Sequence, residues 1–256
     1  MERFLALWDT HVGFERKGGH VKPIHDERAI GAMIKFAQDF KPHRVVFGGD
    51  ILDCGAISHH NTGKPGRTEG LKLLRDGEVA RKLLVEPFEA LKSRSYTFIH
   101  GNHEAWIGQL IDATPGLEGC LSATSLMGMT KKTWDFVAQG QLAKLGKLYF
   151  AHGDQIKGGE HVAKAAAMNY DRNIMFGHHH TFQIYTKNTP VFDEQPRTGV
   201  AVPCLCSKDQ SYGLGKPNRW AQGFVYGWVH PSGGFNFYVP LIINGKTTID
   251  GKVYKG

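Results

Sequence analysis

Phe98-Ile99-His100-Gly101-Asn102-His103-Glu104 sets the reading of the whole chain. Apolar residues close a short buried strand and a glycine turns the chain. An amide, an imidazole and a carboxylate then follow in succession. So dense a polar set packs badly in a core. It suits the carboxyl end of a parallel strand, where open α/β sheets hold their ligands. In such a fold, other apolar runs should end the same way.

They do. Residues 4–8 (Phe-Leu-Ala-Leu-Trp) run into Asp9-Thr10-His11, and residues 44–47 into Gly48-Gly49-Asp50-Ile51-Leu52-Asp53. Residues 147–151 lead to His152, and residues 173–176 to Gly177-His178-His179-His180. Between these runs lie helix signals. Asp26 is placed to cap a helix in which Ile30, Met33, Ile34 and Ala37 recur at helical spacing, and Pro42 ends it. Residues 71–91 read as one long helix or two abutting ones, with Gly77 the weak point, and residues 160–170 as another helix.

Residues 12–24 read as loop, and residues 58–70 as a polar, basic loop above the same sheet edge. Residues 105–143 read as helical pieces, so a helical lid or insertion is expected over 105–146. After residue 180 the texture changes to aromatic and β-branched runs at 181–186, 200–205, 224–230 and 235–243. Pro231-Ser232-Gly233-Gly234 and Asn244-Gly245 are hairpin signals. These late strands are expected to be antiparallel and to complete a second sheet. No linker or repeat divides the chain, so residues 1–256 form one domain.

A composition of 41% hydrophobic and 21% charged residues is that of an ordinary globule. A net charge of +7 favours phosphate-bearing partners, although Lys and Arg are spread along the chain rather than gathered in a tail. Cys54, Cys120, Cys204 and Cys206 form no Cys-x-x-Cys pair, so buried reduced thiols are expected. Residues 4–8 are too short for a signal-peptide core, and no run has transmembrane length. The expected setting is the cytoplasm, with no membrane partner.

Taken singly, each polar strand end has a bland alternative: a turn, a helix cap, a satisfied histidine. Five together do not. Carboxylates, imidazoles and an amide without a thiolate suit Mn²⁺, Fe, Zn²⁺, Ni²⁺ or Mg²⁺. Their number exceeds what one tetrahedral ion needs and matches two ions sharing a bridge. Two such ions about 3.5–4 Å apart clamp the oxygens of an in-line phosphoryl displacement.

The order Asp-x-His, Gly-Asp-x-x-Asp, Gly-Asn-His-Glu, His, Gly-His-x-His resembles the calcineurin-like metallophosphoesterase superfamily, and the match spans residues 9–180. The resemblance implies a four-layer α/β/β/α sandwich of two mixed sheets flanked by helices. It implies that Asp9, His11 and His180 hold one metal, that Asn102, His152 and His178 hold the other, and that Asp50 bridges them. His103 would protonate the leaving oxygen, with Asp53 hydrogen-bonded to it. Glu104 would lie outside the ligands, and His179 would point away. Compact size is similar to stand-alone members from bacteria and their phages.

Gly-Asn-His-Glu is the spelling of serine/threonine protein phosphatases, whose second motif also carries a phosphate-gripping arginine. Here Cys54 stands at that place and cannot grip a phosphate dianion. A singly charged diester is then favoured. The expected activity is a phosphodiesterase or nuclease acting on nucleic acid or nucleotides, through attack of a metal-bound hydroxide. The alternatives are a phosphomonoesterase and a scaffold with a vestigial site. His59, His60 and Arg67 are candidate substrate contacts. Trp106, Trp134 and Tyr212 are candidate base stackers, though packing roles compete, and residues 211–216 a candidate substrate loop.

Overall fold

The computed structural model describes residues 1–188, 196–210 and 218–256. Tyr212 and the expected substrate loop at 211–216 lie outside the described residues.

β1 (Glu2–Leu7) opens the chain. β2 (Phe14–Lys17) and β3 (His20–Pro23) form a hairpin where the sequence reads as loop. Its turn is Gly18-Gly19, with φ of 59° and 81°, a region open to glycine without a Cβ penalty. α1 (Glu27–Phe40) begins as expected at Asp26, whose carboxylate accepts from the Arg28 and Ala29 N–H groups. β4 (Arg44–Phe47) and α2 (Pro65–Thr68) follow. α3 (Leu73–Ala80) and α4 (Glu86–Glu89) are joined by a π-helical turn, Arg81–Val85. Pro87 accounts for the turn, because it has no N–H to donate and crowds the preceding carbonyls. Gly77 is not the break. It admits Leu126, whose carbonyl oxygen would lie 2.6 Å from a Cβ there.

β5 (Ser95–Ile99), α5 (Asn102–Ala113) and α6 (Ala123–Leu126) come next. The reading of 105–143 as helical pieces holds through α5 and α6 and fails beyond them: β6 (Trp134–Val137) and β7 (Ala143–Leu145) are strands, so no helical lid spans 105–146. Trp-x-Phe alternation won over the weak helical pattern. Trp134 is buried and donates its indole N–H to Glu89 at 2.7 Å, so it packs the core rather than meeting a base. β8 (Leu148–Ala151), α7 (Val162–Asn169), β9 (Asn173–Phe176), β10 (Gln183–Lys187) and β11 (Arg197–Ala201) continue the chain. β12 (Val225–Val229), β13 (Phe235–Tyr238), β14 (Lys246–Ile249) and β15 (Lys252–Lys255) complete it.

The first sheet has the order β13-β12-β1-β4-β5-β6, and the second β10-β11-β9-β8-β7. Both are mixed. β1, β4, β5 and β6 run parallel, with β12 and β13 antiparallel at one side. β8, β9 and β11 run parallel between antiparallel β7 and β10. The late strands are therefore shared between the sheets rather than confined to the second. β14 and β15 form a separate hairpin against α1.

Strand alternation builds four layers. Leu5, Leu7, Val45, Phe47, Tyr96 and Phe98 face a core shared with α1, α3 and α5. Phe4, Ala6, Val46 and Ile99 face Phe150, Met175 and Val200 of the second sheet. Ile174 and Phe176 turn the other way, onto Val162 and Ala166 of α7. The chain is an α/β/β/α sandwich. Trp8 ties the sheets together at their carboxyl ends, donating its indole N–H to the Ala151 carbonyl at 2.8 Å. Among the described residues no helix is long and apolar enough to cross a membrane.

Candidate metal centre at the carboxyl ends of the sheets

The polar strand ends meet between the two sheets. Asp9 and His11 leave β1, Asp50 and Asp53 leave β4, and Asn102 and His103 open α5 after β5. His152 leaves β8, and His178 and His180 leave β9. Asp9, His11, Asp50, His178 and His180 take left-handed φ values of 51°, 43°, 50°, 65° and 56°. Each costs about 1 kcal/mol or more in a side-chain-bearing residue, and such strain clusters at functional sites. Two glycines make room for carboxylates: a Cβ on Gly101 would collide with Asp50 Oδ1, and one on Gly177 with Asp9 Oδ2.

Asp50 stands at the centre. Its Oδ1 accepts from the His103 backbone N–H at 2.9 Å, and its Oδ2 lies 3.2 Å from His152 Nε2 and 3.9 Å from His11 Nε2. On one side, His11 Nε2 and His180 Nε2 face each other at 3.2 Å, with Asp9 Oδ1 4.0 Å and 3.5 Å from them. On the other, His152 Nε2 meets Asn102 Oδ1 at 3.0 Å, and His178 joins Asp50 and His152 in one group of candidate ligand atoms. All seven residues proposed as ligands are thus brought together.

The surroundings fix the ring orientations. His11 Nδ1 is 3.2 Å from Asp53 Oδ1, and His152 Nδ1 is 3.1 Å from the Gly48 carbonyl, which leaves both Nε2 atoms facing the cluster. Asp9 Oδ1 is buried without a hydrogen-bond partner. An orphaned carboxylate oxygen beside two confronted imidazole nitrogens fits a cation. Charge agrees. Burial opposes ionisation of Asp50, but the imidazoles of His152, His103 and His11 hold its carboxyl well below the usual range. Burial likewise opposes the His152 charge, yet Asp50 raises that imidazole to about 10. Burial and the His152 charge push His178 down to about 4. A divalent ion would take the place of the proton on His152, so uptake should release protons.

Glu104 anchors backbone beside the cluster, a role the sequence reading did not specify. It is buried, and its carboxylate accepts from the N–H groups of Asp50 (3.0 Å), Ile51 (2.7 Å), Leu52 (2.9 Å) and Gly101 (2.8 Å). It holds the Asp50 turn against the start of α5. Asp53 is also corrected in part. Its carboxylate is nearer His11 (3.2 Å) than His103 (3.6 Å), and it is the Asp53 backbone carbonyl that accepts from His103 Nδ1, at 2.6 Å.

Trp106 is largely buried and packs on His103 with ring centroids 4.0 Å apart. His59 and His60, both exposed, lie against the same indole at 5.3 Å and 6.0 Å. They therefore flank His103, whereas Arg67 is exposed on α2 outside that wall. His179 points away, to the Ile156 carbonyl at 3.1 Å. Cys54 is fully buried, and burial holds its thiol well above the usual range.

Three neighbours escaped the sequence reading. Cys206 Sγ is 3.8 Å from His180 Nδ1 and groups with His11 and His180, so a thiol does border the cluster. The signal was present, since Cys206 also follows an apolar run. The Trp220 ring packs 4.4 Å from that of His180, and a lone loop tryptophan carries no spacing to read. Asp76 is buried beside Asp53, and burial, then the Asp53 charge, raises it to about 8. Of the cysteines, Cys120 is exposed rather than buried, and all four are free thiols.

No family model and no curated protein matches the chain. Among solved structures, Chaetomium thermophilum Vps29 is similar, at 13% identity, with 100% of this chain and 97% of that chain covered and a TM-score of 0.47.

Proposed function

We propose that this chain is a two-metal phosphoesterase of the calcineurin-like type, favouring phosphodiesters of nucleic acid or nucleotides. One observation carries the reading: the Asp50 carboxylate stands between two donor sets, with His11 on one side and His152 on the other. Asp9, His11 and His180 would hold one ion, Asn102, His152 and His178 the second, and Asp50 both. Mn²⁺ suits these ligands best, with Fe, Zn²⁺, Ni²⁺ and Mg²⁺ as alternatives. Bound divalent ions supply Lewis acidity, polarising phosphoryl oxygens and acidifying water.

His103 is the proton donor. Its Nδ1 is held by the Asp53 carbonyl at 2.6 Å and its ring is fixed against Trp106, so Nε2 faces the cluster, 3.8 Å from Asp50 Oδ2. With Nδ1 committed to the Asp53 carbonyl, Nε2 is the ring atom that would carry the proton to be transferred. It would pass this proton to the departing oxygen. His103→Asn should lower kcat by about 10²–10⁴-fold on alkyl diesters. The loss should be much smaller for a nitrophenolate leaving group, which needs no proton. Equal losses on both, with metal content intact, would remove His103 from this role.

The diester preference rests on Cys54. Buried where a protein phosphatase has its arginine, it offers a dianion no grip. Glu104, the residue that pointed to a monoesterase, is occupied by backbone N–H groups and supports neither substrate class. In Mn²⁺, bis(4-nitrophenyl) phosphate should be turned over faster than 4-nitrophenyl phosphate. The reverse order would select the monoesterase. DNA, RNA and cyclic nucleotides in the same assay would then narrow the class.

A further inference from the structure

A second cluster of charge lies at the opposite end of the second sheet. A cleft of about 280 Å³ opens at the amino ends of β8, β9 and β11, lined by Lys144, Lys147, Arg172 and Arg197 around Tyr149. Among the described residues Asp171 is the one acid in the lining, and it pairs with Arg197. Arg172 instead donates to the Tyr149 hydroxyl at 3.0 Å and lies 4.9 Å from the ring centre, and Lys144 Nζ lies 5.5 Å from that centre. A neutral phenol therefore orients these two cations without cancelling their charge.

The frame is firm. The β7–β8 turn has Gly146 at φ 60°, and a Cβ there would lie 2.7 Å from the Gly233 carbonyl oxygen. Lys147 N–H donates to that same oxygen at 2.8 Å. The turn carrying Lys144 and Lys147 is thus wedged against the β12–β13 connection. Tyr149 lies within β8 three positions before His152, about 10 Å at about 3.3 Å per residue. The cleft and the His/Asp cluster occupy opposite ends of the same strands.

We propose that this cleft is a separate anion-binding site that takes a phosphate-bearing ligand through Arg172 and Lys144. A planar guanidinium beside an ammonium group matches phosphate oxygens. A volume near the lower bound of ligand pockets, roughly 300 Å³, limits the occupant to one or two phosphate groups at a time. These come either from a small molecule or from a nucleic-acid backbone. The site does not depend on the reading of the metal centre.

The test uses the full chain stripped of divalent ions with chelator, so that only the cleft is probed. Pyrophosphate binding is measured by titration calorimetry for the wild type, for Lys144→Gln/Arg172→Gln and for Arg172→Lys. The double variant should bind about tenfold more weakly or worse, Arg172→Lys should weaken binding by less because it keeps the charge while losing the planar fork, and Mn²⁺-dependent hydrolysis should be unchanged. A 12-nucleotide single strand is titrated in parallel. If its affinity falls with that of pyrophosphate, the backbone of a nucleic acid is the source of the phosphates. If pyrophosphate alone is affected, the ligand is a small anion. A wild-type chain that does not bind pyrophosphate, or a double variant that binds it equally well, overturns the proposal.

Discussion

Asp50→Asn should abolish hydrolysis while leaving the fold intact. The amide oxygen can still accept the His103 backbone N–H that Asp50 Oδ1 takes at 2.9 Å, so the turn keeps its anchor. The charge facing His152 and His11 is lost. An outer partner of a metal ligand is worth about 10–100-fold in affinity or activity, and a shared ligand should exceed that, so kcat should fall by about 10³-fold or more. The His152 imidazole, raised by Asp50 to about 10, should titrate lower in the variant. Turnover at the wild-type rate in Mn²⁺ would mean that the cluster is not the reaction centre.

Glu104→Gln should be the most destabilising single-atom change in the site. A carboxylate can accept all four backbone N–H groups, and an amide cannot. With Oε1 kept on Ile51 and Leu52, the new NH₂ would face the Asp50 and Gly101 donors. Two buried unsatisfied donors cost about 1–3 kcal/mol each. At about 2–4 °C per kcal/mol for a chain of this size class, Tm should drop by roughly 5–20 °C. Metal affinity should fall too, because the Asp50 turn is no longer pinned. A Tm within 1 °C of wild type would show that the hydrogen bonds carry little net stability.

The first sheet was legible because its strands announce themselves twice, by apolar runs and by the polar ends they share. Asp9, Asp50 and Asn102 sit at equivalent ends of adjacent parallel strands, and that repetition is a sequence pattern. What the last third does was not legible. β12 pairs with β1 across almost the whole chain, and nothing local to Val225 or Tyr226 names that partner. The lid reading failed for a related reason, since β6 earns its place as a strand only by pairing with β5. What Glu104 holds was not legible either, because its four donors belong to segments that meet only on folding. The Gly18-Gly19 hairpin and the Pro87 break, by contrast, were local signals open to a closer reading.

The central claim is that the strand ends form one centre for two divalent ions. Crystals grown with Mn²⁺ and measured at an anomalous wavelength test it most directly. Two anomalous peaks are expected, one beside Asp9, His11 and His180, the other beside Asn102, His152 and His178, with the Asp50 carboxylate between them. A map with no peak in the cluster, or with a single peak that Asp50 does not touch, would contradict it.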